Sequence, residues 1–347
     1  MKKKDKQYIF FSIVISTFLF ILFPTTAYIL DFAGVNNRFD LGIIKDSNLA
    51  LRTQKFTEMN RIKPNTLMFG GSRMHYLSTQ DVKKYTQDKV YNVGLSDASL
   101  EEQYYFLKFA VDNFDIKHVI IALNLYPFSE TTRTYGYKDF DKEVFKEGFT
   151  LKKQMTYYIG VPLIKRIKEY QSADYLEPLY IMGAVSNYNQ ERIIKSDSWE
   201  EREKRSLNQY NMIYKEYLSW GTTQLKIYKK MVRLCQDNKI DLKVFTTGVY
   251  ASQFMLLQDL NKMDMYYKWK KELAKIVEYY DFMYLNSVTT DNQNYIDTSH
   301  MRQDKGHLYF AKIFNDKSVN VPKDFGVLVT KGSVDQYIKS LKTNINK

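Results

Sequence analysis

Thr66-Leu67-Met68-Phe69-Gly70-Gly71-Ser72-Arg73 is the stretch on which the fold turns. Its first four residues carry no charge and have the length of a short strand buried on both faces. The glycine pair lets the backbone turn sharply from that strand into a helix. Ser72 then stands at a helix N-terminus, where the dipole favours developing negative charge. Taken alone, a serine in that place reads first as a helix cap.

Downstream, short apolar runs alternate with longer amphipathic ones. Val90-Tyr91-Asn92-Val93 reads as a second strand ending at Gly94, and Ser99 with Glu102 three residues on forms a capping box for the helix EEQYYFLKFAVDN. His118-Val119-Ile120-Ile121-Ala122-Leu123-Asn124 is continuous enough for a central parallel strand. Leu242–Thr247 and Phe282–Leu285 read as further strands, and FGVLVT near the C-terminus as another. Short strands separated by helices predict an α/β fold, here a three-layer, flavodoxin-like arrangement with a parallel sheet. Residues 125–221 break the alternation and are too long for one loop. They read as a helical insertion, carrying substrate or partner contacts or capping the sheet.

The N-terminus has a different character. Met1-Lys2-Lys3-Lys4-Asp5-Lys6 precedes a run from Tyr8 to Leu30 that is almost free of charge, and roughly 20 apolar residues cross a bilayer core. Lysines before the run favour a cytoplasmic N-terminus, which leaves the body extracytoplasmic. With no A-x-A site after it, an uncleaved transmembrane anchor is preferred to a signal peptide. The expected organisation is a basic N-terminus (1–7), an anchor (8–30), a connecting segment (31–64), an α/β domain (65–318) and a C-terminal extension (319–347).

The chain has 347 residues, a net charge of +12 and a single cysteine. Lysine and arginine are interleaved with acids, and there is no finger, RNP-like motif or basic heptad helix, so nucleic acid is not an expected partner. Cys235 shares a helical face with Tyr228, Met231 and Val232, the position of a small core residue. No spacing of His, Cys, Asp and Glu matches a metal signature, and no cofactor is expected.

The second chemical element is Asp297-Thr298-Ser299-His300, ahead of a helix near the C-terminus. Asp and His three apart can meet. An aspartate accepting the imidazole Nδ1 proton fixes the tautomer and steadies the imidazolium formed when His300 takes a proton from Ser72. Arg73, beside the serine, has two readings: a substrate-binding cation for an anionic group, or a surface ion pair.

In chain order the sequence presents G-G-S after the first strand, Gly94 after the second, Asn124 after the third and D-T-S-H before the last helix of the body. This resembles the SGNH (GDSL-like) hydrolase superfamily. The resemblance implies Ser72 as nucleophile, His300 as general base and Asp297 as its orienting partner. It also implies an oxyanion hole built from the Ser72 and Gly94 N–H groups and the Asn124 side chain. Gly71 stands where the family carries aspartate, and A-L-N-L replaces G-x-N-D. A narrower likeness is to membrane-tethered SGNH-like envelope proteins of teichoic-acid D-alanylation and polysaccharide O-acetylation, the anchor and the Lys305-Gly306 pair fitting the first of these. That likeness implies a cell-envelope glycopolymer and a membrane-bound O-acyltransferase as partners.

Overall fold

The apolar runs around Leu67, Tyr91 and Ile120 meet as adjacent strands in the computed structural model, which describes residues 3–130, 140–173 and 175–345. Residues 131–139 and 174 of the expected insertion, and residues 1, 2, 346 and 347, lie outside that description. In chain order the first elements are α1 (Lys3–Leu30), α2 (Leu51–Ile62), β1 (Thr66–Phe69), α3 (Ser72–His75), α4 (Thr79–Thr86), β2 (Val90–Asn92), α5 (Leu100–Asn113) and β3 (His118–Leu123). Next come α6 (Val144–Glu147), α7 (Leu151–Ile159), α8 (Leu163–Ser172), β4 (Tyr180–Ile181), β5 (Ala184–Val185), α9 (Asn187–Ser196) and α10 (Trp199–Met212). The remainder are α11 (Thr223–Asp237), β6 (Asp241–Thr246), α12 (Ala251–Asp259), α13 (Met263–Ile276), β7 (Tyr279–Asp281), α14 (Gln303–Ile313), β8 (Val327–Val329) and α15 (Val334–Ile345).

Six strands form one sheet in the order β2-β1-β3-β6-β7-β8, flanked by helices. The ladders from β2 through β7 are parallel, the longest running from His118 opposite Asp241 to Leu123 opposite Thr246. The strand order reverses direction between β1 and β3, and in such sheets the reacting groups gather beyond the carboxyl ends of the strands at that switch point. Ser72 follows β1 and Asn124 follows β3, so both are delivered there.

Two strand expectations change. The sheet is not parallel throughout, because β8 returns antiparallel along β7, pairing Val329 with Tyr279 and Val327 with Asp281. It covers an edge that would otherwise leave backbone groups unpaired. The strand before it is Tyr279–Asp281 and not Phe282–Leu285. The polar Asp281 disguised it: its carboxylate is buried against Lys270 and accepts from Thr246 Oγ1 and Tyr337 Oη, so a charged residue sits inside the ladder. Phe282 and Met283 are fully buried just beyond it.

The described chain divides into two units, one of Met1–Glu58 with Asp141–Leu179, the other of Met59–Phe140 with Tyr180–Lys347. The 125–221 stretch read as one insertion is therefore shared: α6 to α8 belong to the first unit, the β4–β5 hairpin, α9 and α10 to the sheet unit. The residues read as a C-terminal extension supply β8 to the central sheet.

In the first unit, Lys4–Leu30 is one helix long and apolar enough to cross a membrane. Its last turns pack on α7 and α8 through Ala27, Tyr158 and Leu163. Asp31 ends the helix in a left-handed conformation at φ 42°, and its carboxylate accepts the N–H groups of Val35, Asn36 and Asn37 and the Tyr158 hydroxyl. That knot fixes how the chain leaves α1.

In the sheet unit, Met68, Ile120, Ala122, Phe245, Phe282 and Tyr309 form part of one buried cluster. Cys235 lies on the inner face of α11, fully buried, and burial pushes its thiol up to about 12. A thiol so protonated is a core residue and a poor nucleophile.

Candidate functional site

Residues from four loops converge at the switch point. Gly71 precedes α3 with extended backbone, and a side chain on it would meet Asn124 Nδ2 at 3.0 Å. A side chain there would press on the Asn124 amide, so glycine leaves that amide undisturbed. Ser72 takes the first position of α3, its Oγ 2.8 Å from His300 Nε2. His300 Nδ1 lies 2.8 Å from Asp297 Oδ2 and 3.0 Å from Oδ1. An ionised carboxylate only accepts, so Nδ1 carries the proton, and Nε2 is left to accept from the Ser72 hydroxyl.

The local fold explains why a D-x-x-H spacing succeeds. Asp297 Oδ1 accepts the backbone N–H groups of Ser299 at 2.7 Å and His300 at 2.9 Å, and Ile296 N–H closes the turn on the His300 carbonyl at 2.8 Å. Burial pushes the Asp297 carboxyl up. The His300 charge and these hydrogen bonds outweigh it and hold the carboxyl below the usual carboxylate range. The ring of Tyr76, one turn after Ser72, lies 4.6 Å from that of His300 and fixes its other face. Burial, then the Asp297 charge, push the Tyr76 hydroxyl up to about 12, so it stays neutral there.

Asn124 is held from behind. Its Oδ1 accepts from Thr247 Oγ1 at 2.6 Å and from Arg73 Nη1 at 3.5 Å, which turns Nδ2 toward Gly71 and the open side. Arg73 itself is 6% exposed, which excludes the surface ion pair. Its Nε donates to Ser299 Oγ at 2.9 Å, Nη1 to Thr247 Oγ1 at 3.2 Å and Nη2 to the Gln253 amide oxygen at 3.0 Å when that amide also donates to Thr298. Among the described residues no carboxylate lies within ion-pair distance of it. The guanidinium is thus a buried cation spent on neutral partners, and its first task is to position Asn124 and the Asp297–His300 turn.

Gly94, expected to offer its N–H to an oxyanion, lies in the loop after β2 with that N–H bonded back to the end of the strand. Its N–H donates to Asn92 Oδ1 at 2.7 Å, and a side chain on Gly94 would stand 2.4 Å from the His75 backbone nitrogen. The glycine is there so that the loop after β2 can lie against α3, and its N–H is already bonded. Asn92 completes the clamp by donating to the Met74 and Leu77 carbonyls. The residues of that loop that reach the site are Ser96, Asp97 and Ala98, with Asp97 in a left-handed conformation at φ 53°. The sequence signal for this loop is the turn-prone Ser96-Asp97 pair, aspartate being among the residues that tolerate the left-handed region.

These groups line a cavity of about 730 Å³, which Tyr126, Ile193, Arg202, Arg205 and Tyr210 also face. Arg202 donates from Nη1 to the Ile296 carbonyl at 2.5 Å, while Arg205 pairs with Asp197 at 2.7 Å. Both come from α10, inside the 125–221 stretch read as a helical insertion, in which the sequence singles out neither arginine. His75 is buried and stacks on Tyr180, His118 opens β3 and His307 lies in α14. Chemically, the arrangement offers a hydroxyl hydrogen-bonded to an imidazole whose other nitrogen is bonded to a carboxylate, beside an amide N–H donor. Compared with known proteins, the chain matches no protein-family model and no curated protein.

Proposed function

We propose that the protein is a membrane-anchored serine acyl-ester enzyme of SGNH-hydrolase type, with its α/β body outside the cytoplasm. The observation that carries this reading is the line Asp297–His300–Ser72, closed by contacts of 2.8 Å at each end. Ser72 Oγ attacks the acyl carbonyl as its proton passes to His300 Nε2. The carbonyl oxygen takes up the negative charge, and Asn124 Nδ2–H and the Ser72 N–H are the donors that face it. His300 then protonates the leaving oxygen, which departs as an alcohol and leaves acyl-Ser72. An incoming hydroxyl surrenders its proton to His300 and takes the acyl group, so water gives hydrolysis and a sugar or polyol gives transfer.

The lysines at the N-terminal end of α1 support the outward body, and the anchor keeps the site near the membrane. A cell-envelope glycopolymer as acceptor, and a membrane-bound O-acyltransferase as donor of the acyl group, are the partners this reading implies.

The test is exposure of the full-length, detergent-solubilised chain to p-nitrophenyl acetate. A burst of p-nitrophenolate with an acyl adduct on the Ser72 peptide is expected, with Ser72→Ala lowering the rate by up to about 10⁶-fold. Equal rates and no adduct in either protein, with both folded, would replace the enzyme by a non-catalytic scaffold of the same fold.

A further inference from the structure

α7 has two apolar faces and only one of them is covered. Tyr157 and Tyr158 turn into the cluster with Ala27, Tyr28 and Leu163 that ties the helix to the last turns of α1. Leu151, Met155 and Ile159, spaced four apart along α7, stand 71%, 58% and 48% exposed, and Ile164 at the start of α8 is 58% exposed. Nine residues of helix with a bare apolar stripe are not built for water.

What covers the stripe is indicated by what it adjoins. α1 leaves Phe20, Phe23 and Ile29 exposed along its length, the surface that lipid covers in a membrane-crossing helix, and α7 packs on the end of that same helix. Lysines 152, 153, 165 and 168 share α7 and α8 with the stripe, the residue type whose charged end settles at headgroup level. Four apolar side chains fall far short of the roughly 800 Å² per partner of a standard protein interface, which argues against a second copy.

We propose that α7 and the start of α8 lie in the headgroup–acyl boundary of the leaflet at the C-terminal end of α1, with Leu151, Met155, Ile159 and Ile164 among the upper acyl chains. The proposal rests on α1 crossing the bilayer. It makes the first unit a membrane-seated platform with two contacts, a span and an in-plane helix.

The single native thiol makes a clean test, since Cys235 is buried and its thiol stays protonated. Met155→Cys is labelled with an environment-sensitive dye in the full chain, reconstituted in phosphatidylcholine–phosphatidylglycerol vesicles, with Phe20→Cys as a mid-span reference. The Met155 dye should show about fivefold less iodide quenching than free dye and be quenched best by shallow doxyl lipids, matching a depth of about 5–10 Å. Full iodide access at Met155, with Phe20 still quenched by deep doxyl lipids, overturns the proposal while leaving the anchor. Pyrene excimer at Met155 that vanishes on dilution overturns it in favour of a second copy. A Phe20 dye untouched by lipid quenchers removes the anchor and the proposal with it.

Discussion

Thr247→Val removes the hydrogen bond on which the Asn124 amide depends, along with the longer contact that Arg73 Nη1 makes to the same hydroxyl at 3.2 Å. The Thr247 hydroxyl donates to Asn124 Oδ1 at 2.6 Å, whereas the Arg73 contact to the same oxygen is long, at 3.5 Å. Valine keeps the shape and removes the donor, so Asn124 loses its main restraint and Nδ2 is no longer held over Gly71. A buried neutral hydrogen bond contributes about 1 kcal/mol, and leaving Oδ1 poorly satisfied adds up to about another. An oxyanion donor lost outright costs about 2.7–4 kcal/mol. The expected loss is therefore about 1–2 kcal/mol of transition-state stabilisation, or about 5- to 30-fold in the acylation rate. Stopped-flow release of p-nitrophenolate measures it, with KM unchanged and Thr247→Ser restoring the rate. In an Asn124→Ala background, itself about 10²- to 10³-fold slower, the valine should have no further effect. A multiplicative loss in the double variant would refute the reasoning, because Thr247 would then act by another route.

Gly94→Ala places a methyl 2.4 Å from the His75 nitrogen, where only backbone can give way. It should cost at least the ~1–3 kcal/mol of an overpacked core, lowering Tm by several degrees in a thermal melt and slowing acylation through the shift of α3. Lys55 in α2 is fully buried, and burial pushes its ammonium down to about 7, opposed by the Glu58 charge. Its folded pKa lies below the ordinary 10.5, so between those values the unfolded chain binds more protons and stability rises with pH. Lys55→Met should accordingly stabilise most below pH 7, with its advantage shrinking toward pH 10 in denaturant titrations. A constant advantage across that range would show that Lys55 is not titrating as described.

The parts of the fold that were legible are those where one physical signal acts alone. Met68 and Ile120 lie in unbroken apolar runs, and both became central strands. Ser72 and the D-x-x-H spacing are singled out by their conjunction in the order of the resembled family, and the structure brings Ser72, His300 and Asp297 together. β7 was missed because Asp281 interrupts its pattern, and its charge makes sense only beside Lys270 and Tyr337. The family resemblance implies Gly94 as an oxyanion donor, while its contact with the His75 backbone is a tertiary fact. Arg73 was undecided for the same reason: Ser299, Thr247 and Gln253 reach it from three distant loops. Thr298 and Ser299, passed over between Asp297 and His300, proved to be the anchors of that turn, bonded to Ser206 and Tyr210 of α10.

Ser72 and His300 stand 228 positions apart along the chain yet share one hydrogen bond. A ribosome adding about 5–20 residues per second needs roughly 10–45 s to make that interval. During this time the serine exists without the imidazole it bonds in the folded protein. The chain's own length thus acts as a timer, and the two halves of the candidate site meet only when most of the sheet unit has been made.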